Sequence, residues 1–268
     1  TIPNSVISIG SSAFSWVDSL KTVTFEDNST LATIGPNAFL KSGLTSITIP
    51  ASVTEIEEDA FKGATHLTSV TFEADSSLAT IGTSAFYNAS SLTSIDIPNS
   101  VTDIGNSAFY SARYLASVNF ETNSILETIG NHSFAGQSDI LKTNLTTISI
   151  PKSVISIGDY AFQYTNLTSI AFESYSSLNS IGYNAFVGSN LTTIFAGTAL
   201  ISSQSWTVGS SYTIGGKSGV YIANLDSIKP SIESISITTD NSYATVTFSE
   251  PVFNNNIGIN NIGSGHIQ

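Results

Sequence analysis

The stretch Leu44–Phe61, LTSITIPASVTEIEEDAF, decides the fold, because it returns with drift about eight times along the chain. Each copy closes on a Phe: Phe14, Phe39, Phe61, Phe86, Phe109, Phe134, Phe162 and Phe186. Successive spacings are 25, 22, 25, 23, 25, 28 and 24 residues. Each copy opens on a Leu, at Leu20, Leu44, Leu67, Leu92, Leu115, Leu145, Leu167 and Leu191. Leu-x-x-Ile-x-Ile has the period of a short strand, which turns Ile47 and Ile49 inward and Ser46 and Thr48 outward. One copy cannot bury its own apolar side chains, so the copies must stack into a solenoid.

A second rhythm runs inside the first. Short units carry Ile-Pro, at Ile2-Pro3, Ile49-Pro50, Ile97-Pro98 and Ile150-Pro151. Long units carry Phe-Glu and a polar insert, at Phe25-Glu26, Phe72-Glu73, Phe120-Glu121 and Phe172-Glu173. The true period is therefore a pair of units, about 47 residues. Proline lacks an N–H and ends strand pairing where it stands. The second half of each unit, Val/Leu-x-x-Ile-Gly-x-x-Ala-Phe, reads as another short extended piece, with Val53 and Ile56 inward. The Gly at 10, 35, 82, 105, 130, 158 and 182 is expected in a turn of positive φ. Glu57 takes that place once.

This grammar resembles the BspA-like, treponemal type of leucine-rich repeat, L-x-x-I-x-I-P followed by x-x-V-x-x-I-G-x-x-A-F. The resemblance covers residues 1–199. It implies a mainly β leucine-rich-repeat horseshoe: a curved solenoid with a parallel concave sheet, closed by short turns or 3-10 segments. It further implies a surface or secreted protein that binds proteins or cell-surface molecules. The family usually places Cys three residues after the Phe. Those positions hold Val17, Ser42, Ala64, Ala89, Ala112, Gln137, Thr165 and Ser189 here, so the packing slot persists without a thiol.

Composition narrows the function classes. Net charge is −12, with 8 Lys plus Arg against 20 Asp plus Glu. Nucleic acid and anionic membrane surfaces both need basic clusters, so neither is an expected partner. There are 0 Cys, hence no disulfide framework and no thiolate metal site. No apolar run approaches the length of a membrane span, so no membrane insertion is expected. The sequence holds 0 Met and starts inside a strand, at Thr1-Ile2-Pro3. Upstream repeats or a cap are expected to shield that sheet edge.

Three segments follow from the pattern: a solenoid over 1–199, its C-terminal cap over 200–229, and the truncated start of a β-sandwich over 230–268. In the cap, Trp206, Val208 and Ile214 are expected to cover the last rung. Beyond Pro230, Ser234-Ile-Ser-Ile-Thr and Ala244-Thr-Val-Thr-Phe alternate with period two around a turn at Asp240-Asn241-Ser242. The run ITTDNSYATVTFSEPV resembles the start of a bacterial Ig-like domain. A full sandwich needs about 100 residues.

No set of residues with catalytic spacing stands out. His66 and His132 occupy different places in their repeats and read as solvated loop residues, which leaves no metal site. Gly215-Gly216-Lys217-Ser218 echoes a phosphate loop without its leading spacing, so no cofactor is expected. Glu26, Glu73, Glu121 and Glu173 recur about 10 Å apart along one edge, too far for two to share a Ca²⁺. They read as a solvated face, as does the cluster Glu55, Glu57, Glu58 and Asp59. The outward strand positions form a flat hydroxyl surface. Beyond the buried Phe lie Trp16, Tyr87, Tyr110, Tyr114 and Tyr164, expected along one edge. Interface energy concentrates in Trp, Tyr and Arg. Tyr87, Tyr110, Arg113 and Tyr114 are therefore the candidate binding residues. The expected protein is a non-catalytic, extracellular or cell-surface monomer that mediates adhesion or protein interaction, with a protein or cell-surface glycan as ligand. A second reading is a carbohydrate-binding accessory region of a larger secreted enzyme.

Overall fold

The computed structural model describes residues 1–197, 200, 204, 211–224, 232–237 and 244–248. Two kinds of strand alternate along it: β1 (Ser8–Ile9), β2 (Thr22–Val23), β3 (Thr33–Ile34), β4 (Ser46–Ile49), β5 (Glu55–Ile56), β6 (Ser69–Phe72), β7 (Thr80–Ile81) and β8 (Ser94–Ile97). The alternation continues through β9 (Asp103–Ile104), β10 (Ser117–Phe120), β11 (Thr128–Ile129), β12 (Thr147–Ile150), β13 (Ser156–Ile157), β14 (Ser169–Phe172), β15 (Ser180–Ile181) and β16 (Thr193–Ala196). Next come β17 (Ser211–Ile214), β18 (Lys217–Asn224), β19 (Ile232–Ile237) and β20 (Ala244–Phe248).

The result is a parallel β-solenoid with three walls. The first wall holds the even-numbered strands, whose burial alternates as the sequence requires. In β4, Ile47 and Ile49 are buried and Ser46 and Thr48 are exposed. Partners in the ladder are equivalent repeat positions, such as Ile47↔Val70 and Ile95↔Val118. The second wall is one 8-stranded parallel sheet of odd-numbered strands, from β1 to β15. The third wall has no strand. Its turns are tied rung to rung by the Phe amides, as in Phe61 N–H to Ala85 O at 2.7 Å and Phe86 N–H to Ala108 O at 2.7 Å. Between residues 1 and 197 the connections are turns rather than 3-10 segments.

The third wall carries the centre of the core. Phe39, Phe61, Phe86, Phe109, Phe134, Phe162 and Phe186 are fully buried. With the half-buried Phe14 they form one stack, with ring centroids 5.1–5.6 Å apart. Aromatic faces meet here at the pitch that the ladder imposes.

The Gly following each Ile does not have positive φ, contrary to expectation. Positive φ falls instead two residues later, at Ser12, Asn37, Asp59, Ser84, Ser107, His132, Tyr160 and Asn184. The glycine answers to crowding between rungs. A Cβ on Gly105 would lie 2.7 Å from both Gly82 C and Thr83 N, which are backbone atoms.

The Glu of the long units also departs from expectation. Its carboxylate accepts the N–H of the residue after the proline in the preceding short unit. The bonds are Asn4 N to Glu26 Oε2 at 3.1 Å, and Ala51 to Glu73, Asn99 to Glu121 and Lys152 to Glu173 at 3.0 Å each. Proline stops the strand, and a carboxylate from the next rung satisfies the first amide beyond it. Long units also close their inserts locally: Ser29, Ser76, Ser124 and Ser176 each accept the N–H of the Leu two residues on.

The family's Cys slot is buried at Ser42, Ala64, Ala89, Ala112, Thr165 and Ser189. Val17, on the first rung, and Gln137 are exposed instead. The loop after Phe134 diverts the chain, and Thr143 occupies the buried slot in its place.

At the far end β18 pairs in parallel with β16 and antiparallel with β17, so the sheet of the first wall continues into a hairpin. Ile214, Val220 and Ile222 join the core there. Trp206 and Val208 lie outside the described residues. β19 and β20 pair antiparallel, with Ile235 opposite Val246. The Asp240-Asn241-Ser242 turn and everything past 248 also lie outside the described residues.

Candidate functional site

The surface is built from what each wall exposes. The first wall exposes short polar side chains that bond to one another. Thr48 and Thr71 hydroxyls lie 2.9 Å apart, and Asn119 Nδ2 donates to Asp96 Oδ1 at 2.8 Å. This wall is not continuous, because ladder pairing lapses between β6 and β8 and between β10 and β12. Over the second lapse a groove of about 320 Å³ opens, lined by Ser117, Asn119, Glu121, Thr147 and Ser149.

The third wall carries a row of aromatic side chains. Tyr87 and Tyr110 stack with centroids 4.9 Å apart. Lys62 lies over the Tyr87 ring at 5.4 Å, and its Nζ is also 2.8 Å from Asp59 Oδ2, in the one ion pair among the described residues. On the other side, Tyr110 meets the His132 ring edge-on at 6.3 Å, and His132 stacks on Tyr160 at 4.8 Å. Tyr183 closes the row against Tyr160 at 5.6 Å. Trp16 is apart from this row, 62% exposed with Lys41 Nζ 4.0 Å from its ring.

His132 is therefore a packed member of an aromatic row, not a solvated loop residue. Its Nδ1 is buried without a partner. Burial holds its imidazole below the usual 6.5, with the Asp159 carboxylate opposing. Burial likewise raises the Tyr110 phenol above 10.0, aided by Tyr87 and Tyr164. Repeat alignment could have found part of this row, since His132 and Tyr160 both stand two residues after the conserved-spacing Gly. The contact of Tyr110 with His132 crosses two repeat columns and leaves no sequence signal. Asx side chains beside these Gly brace the row: Asn106 Oδ1 accepts Asn131 N–H at 2.8 Å, and Asn131 Oδ1 accepts Asp159 N–H at 2.7 Å.

The four candidate binding residues fall into two pairs. Tyr87 and Tyr110 use their ring faces on each other. Arg113 and Tyr114 form the second pair, with the guanidinium 5.9 Å from the ring centroid. Tyr114 is 52% exposed. Beside this pair lies a pocket of about 230 Å³, with Asn88 and Ser111 from the turns and Gln137 and Leu141 from the loop after Phe134. Among the described residues no group of three or more His, Cys, Asp or Glu could hold a metal ion. No helix among them is long and apolar enough to cross a membrane.

Comparison with known proteins bears on the fold. No curated protein matches. Solved structures similar to this chain include the pneumococcal vaccine antigen PcpA, at 19% identity over 76% of each chain with a TM-score of 0.47. The T. pallidum leucine rich repeat protein TpLRR is similar at 22% identity over 68% of this chain and 76% of that one, TM-score 0.41. A leucine rich cell surface protein from Faecalibacterium prausnitzii is similar at 21% identity over 68% and 78%, TM-score 0.35. The family described as the BspA type leucine rich repeat region (6 copies) matches over residues 1–74, 32–144 and 141–257. With that match running over most of its length, on repeats that stack as three-walled rungs, the chain belongs to the BspA-type leucine-rich repeat family.

Proposed function

We propose that this chain is a non-catalytic, extracellular or cell-surface binding module, and that its protein or glycan partner contacts the edge carrying Tyr87, Tyr110, Arg113 and Tyr114. The observation that carries the reading is the contrast between two surfaces. The sheet face offers short hydroxyls and amides that already bond to each other, as Thr48 does to Thr71 and Asn119 to Asp96. Such groups give little area to desolvate. The edge offers an exposed Tyr114, an Arg113 without an ion pair among the described residues, and a concavity beside them. Tyr and Arg beside a pocket are the residue types in which interface energy concentrates.

The test is binding of the purified chain to an array of extracellular-matrix proteins and glycans, repeated with two multiple variants. One carries Tyr87→Ser, Tyr110→Ser and Tyr114→Ser. The other carries Ser69→Ala, Thr71→Ala, Ser94→Ala and Asp96→Ala. The first should lose binding to the array hit and the second should retain it, with both folded by circular dichroism. Loss in the second alone would move the site to the sheet face.

A further inference from the structure

The pocket beside Tyr114 exists because the repeat is broken there. In the six other intervals the Phe-to-Phe spacing is 22 to 25 residues, but from Phe134 to Phe162 it is 28. The extra residues do not hang free. Leu141 N–H bonds Ser138 O at 3.0 Å and Gln137 N–H bonds Leu141 O at 3.1 Å, which folds the loop into a compact knuckle. Asn144 N–H then bonds Arg113 O at 3.0 Å and ties the knuckle to the rung that carries Arg113. Gln137 and Leu141 thereby become one wall of a pocket whose other wall comes from the regular turns. Repetition alone gives copies of one surface; this concavity is walled by the irregular loop.

Its chemistry is that of a polyol site with one anionic contact. Two amides, Asn88 and Gln137, and two hydroxyls, Ser90 and Ser111, face a cavity beside the Tyr114 ring. These groups both donate and accept, as a ring of sugar hydroxyls requires. An exposed tyrosine face suits the C–H face of a pyranose. The volume, about 230 Å³, lies below the roughly 300–1,000 Å³ of drug-sized ligand pockets, so it fits one terminal residue and not a chain. Arg113 adds the charge. It is the only arginine in a chain of net charge −12, yet no carboxylate lies within ion-pair reach of it among the described residues. Of the nearby loop charges, Lys142 Nζ donates to Asn190 Oδ1 at 3.0 Å, and the Asp139 carboxylate lies beside Gly188 and outside ion-pair reach of Arg113. An unpaired planar guanidinium matches a carboxylate with two parallel hydrogen bonds.

We propose that the Arg113–Tyr114 pocket binds the terminal residue of a glycan that bears a single carboxylate, a uronic or sialic acid. This rests on the binding-module reading above and names its ligand. The carboxylate meets the Arg113 guanidinium, the sugar ring lies against Tyr114, and Asn88 and Gln137 take its hydroxyls. The chain's net negative charge disfavours polyanions, whose many charges feel the whole surface within about 8–10 Å of screening. A singly charged sugar feels chiefly the guanidinium at its own carboxylate.

The experiment is saturation-transfer NMR and titration on the full chain with four probes: D-glucuronic acid, N-acetylneuraminic acid, D-glucose and acetate. Heparin serves as the polyanion control. At least one acidic sugar should bind saturably, with glucose and acetate each weaker by tenfold or more and heparin showing no tighter binding. Arg113→Ala should weaken the acidic sugar at least tenfold, Arg113→Lys less, and Tyr114→Ala at least fivefold. Both side chains are exposed, so unchanged melting curves will show that the variants are folded. Equal binding of glucose and acidic sugar, or binding unaffected by Arg113→Ala, overturns the proposal. If the acidic sugars fail while an array hit is still lost in the triple tyrosine variant, the edge remains the binding site and only its ligand class is wrong. If neither is observed, both readings fall.

Discussion

At the scale of the residue, the glycine after the inward Ile answers to the rung before it. A Cβ at Gly105 would sit 2.7 Å from backbone atoms of the preceding rung. Gly105→Ala should therefore destabilise by about 1–3 kcal/mol through overpacking. Thermal melts of the variant and the parent check it. His132 makes the second prediction. Burial depresses its folded pKa below the 6.5 of the unfolded chain, so the folded state favours the neutral ring. Its contribution is complete above about pH 6.5 and declines as pH falls toward the folded value, because the unfolded chain takes up the proton first. His132→Phe keeps a ring between Tyr110 and Tyr160 but cannot titrate. The variant should lose less stability than the parent between about pH 7 and pH 5, read as the difference of two Tm-versus-pH profiles. The reason for the glycine was not legible in the sequence, and the row around His132 was legible only in part. A glycine chosen for close approach looks like one chosen for positive φ, and a histidine read within its own repeat shows nothing of the rings above and below.

At the scale of the element, the alternation of Ile-Pro and Phe-Glu was legible as a rhythm but not as an interaction. The donor and acceptor stand 22 residues apart, as Asn99 and Glu121 do, so only stacking brings them together. Glu121→Ala should cost about 1 kcal/mol, since a net hydrogen bond contributes about that much and water can reach this exposed edge. Glu121→Gln, which keeps an acceptor oxygen, should cost less than half as much. Amide exchange should single out the Asn99 N–H, with protection lost in the Ala variant and largely kept in the Gln variant. The loop after Phe134 shows the opposite case. Its length was plain in the sequence, but its fold was not, because the hydrogen bonds that compact it join residues with no repeat partner. Arg113 and Tyr114 were legible as residue types suited to interfaces. The pocket they share with Gln137 and Leu141 was not.

At the scale of the whole molecule, the Phe stack was the most legible feature, since a bulky residue at constant spacing in a stacked repeat must meet its own copies. Phe86 is fully buried and lies 5.1 Å from Phe61 and 5.2 Å from Phe109. Phe86→Ala should cost about 3–5 kcal/mol in lost transfer energy and cavity. Contacts in a solenoid are nearest-neighbour. Hydrogen exchange should therefore quicken first at the Phe61 and Phe86 amides, which bond across those rungs, and least at Phe162. An unchanged melting curve would contradict the register of the stack.

The bond from each Glu to the amide beyond the preceding proline also sets how such a molecule can grow or shrink. Every donor of this kind sits in a short unit, and every acceptor in the long unit that follows it. Cutting out residues 62–109 would remove one long and one short unit and set Ala51 opposite Glu121, an equivalent donor opposite an equivalent acceptor. Cutting out a single rung would strand either an amide or a carboxylate. The reach of the solenoid is thus quantised: it changes cleanly only by a couple of rungs, about 10 Å at a step.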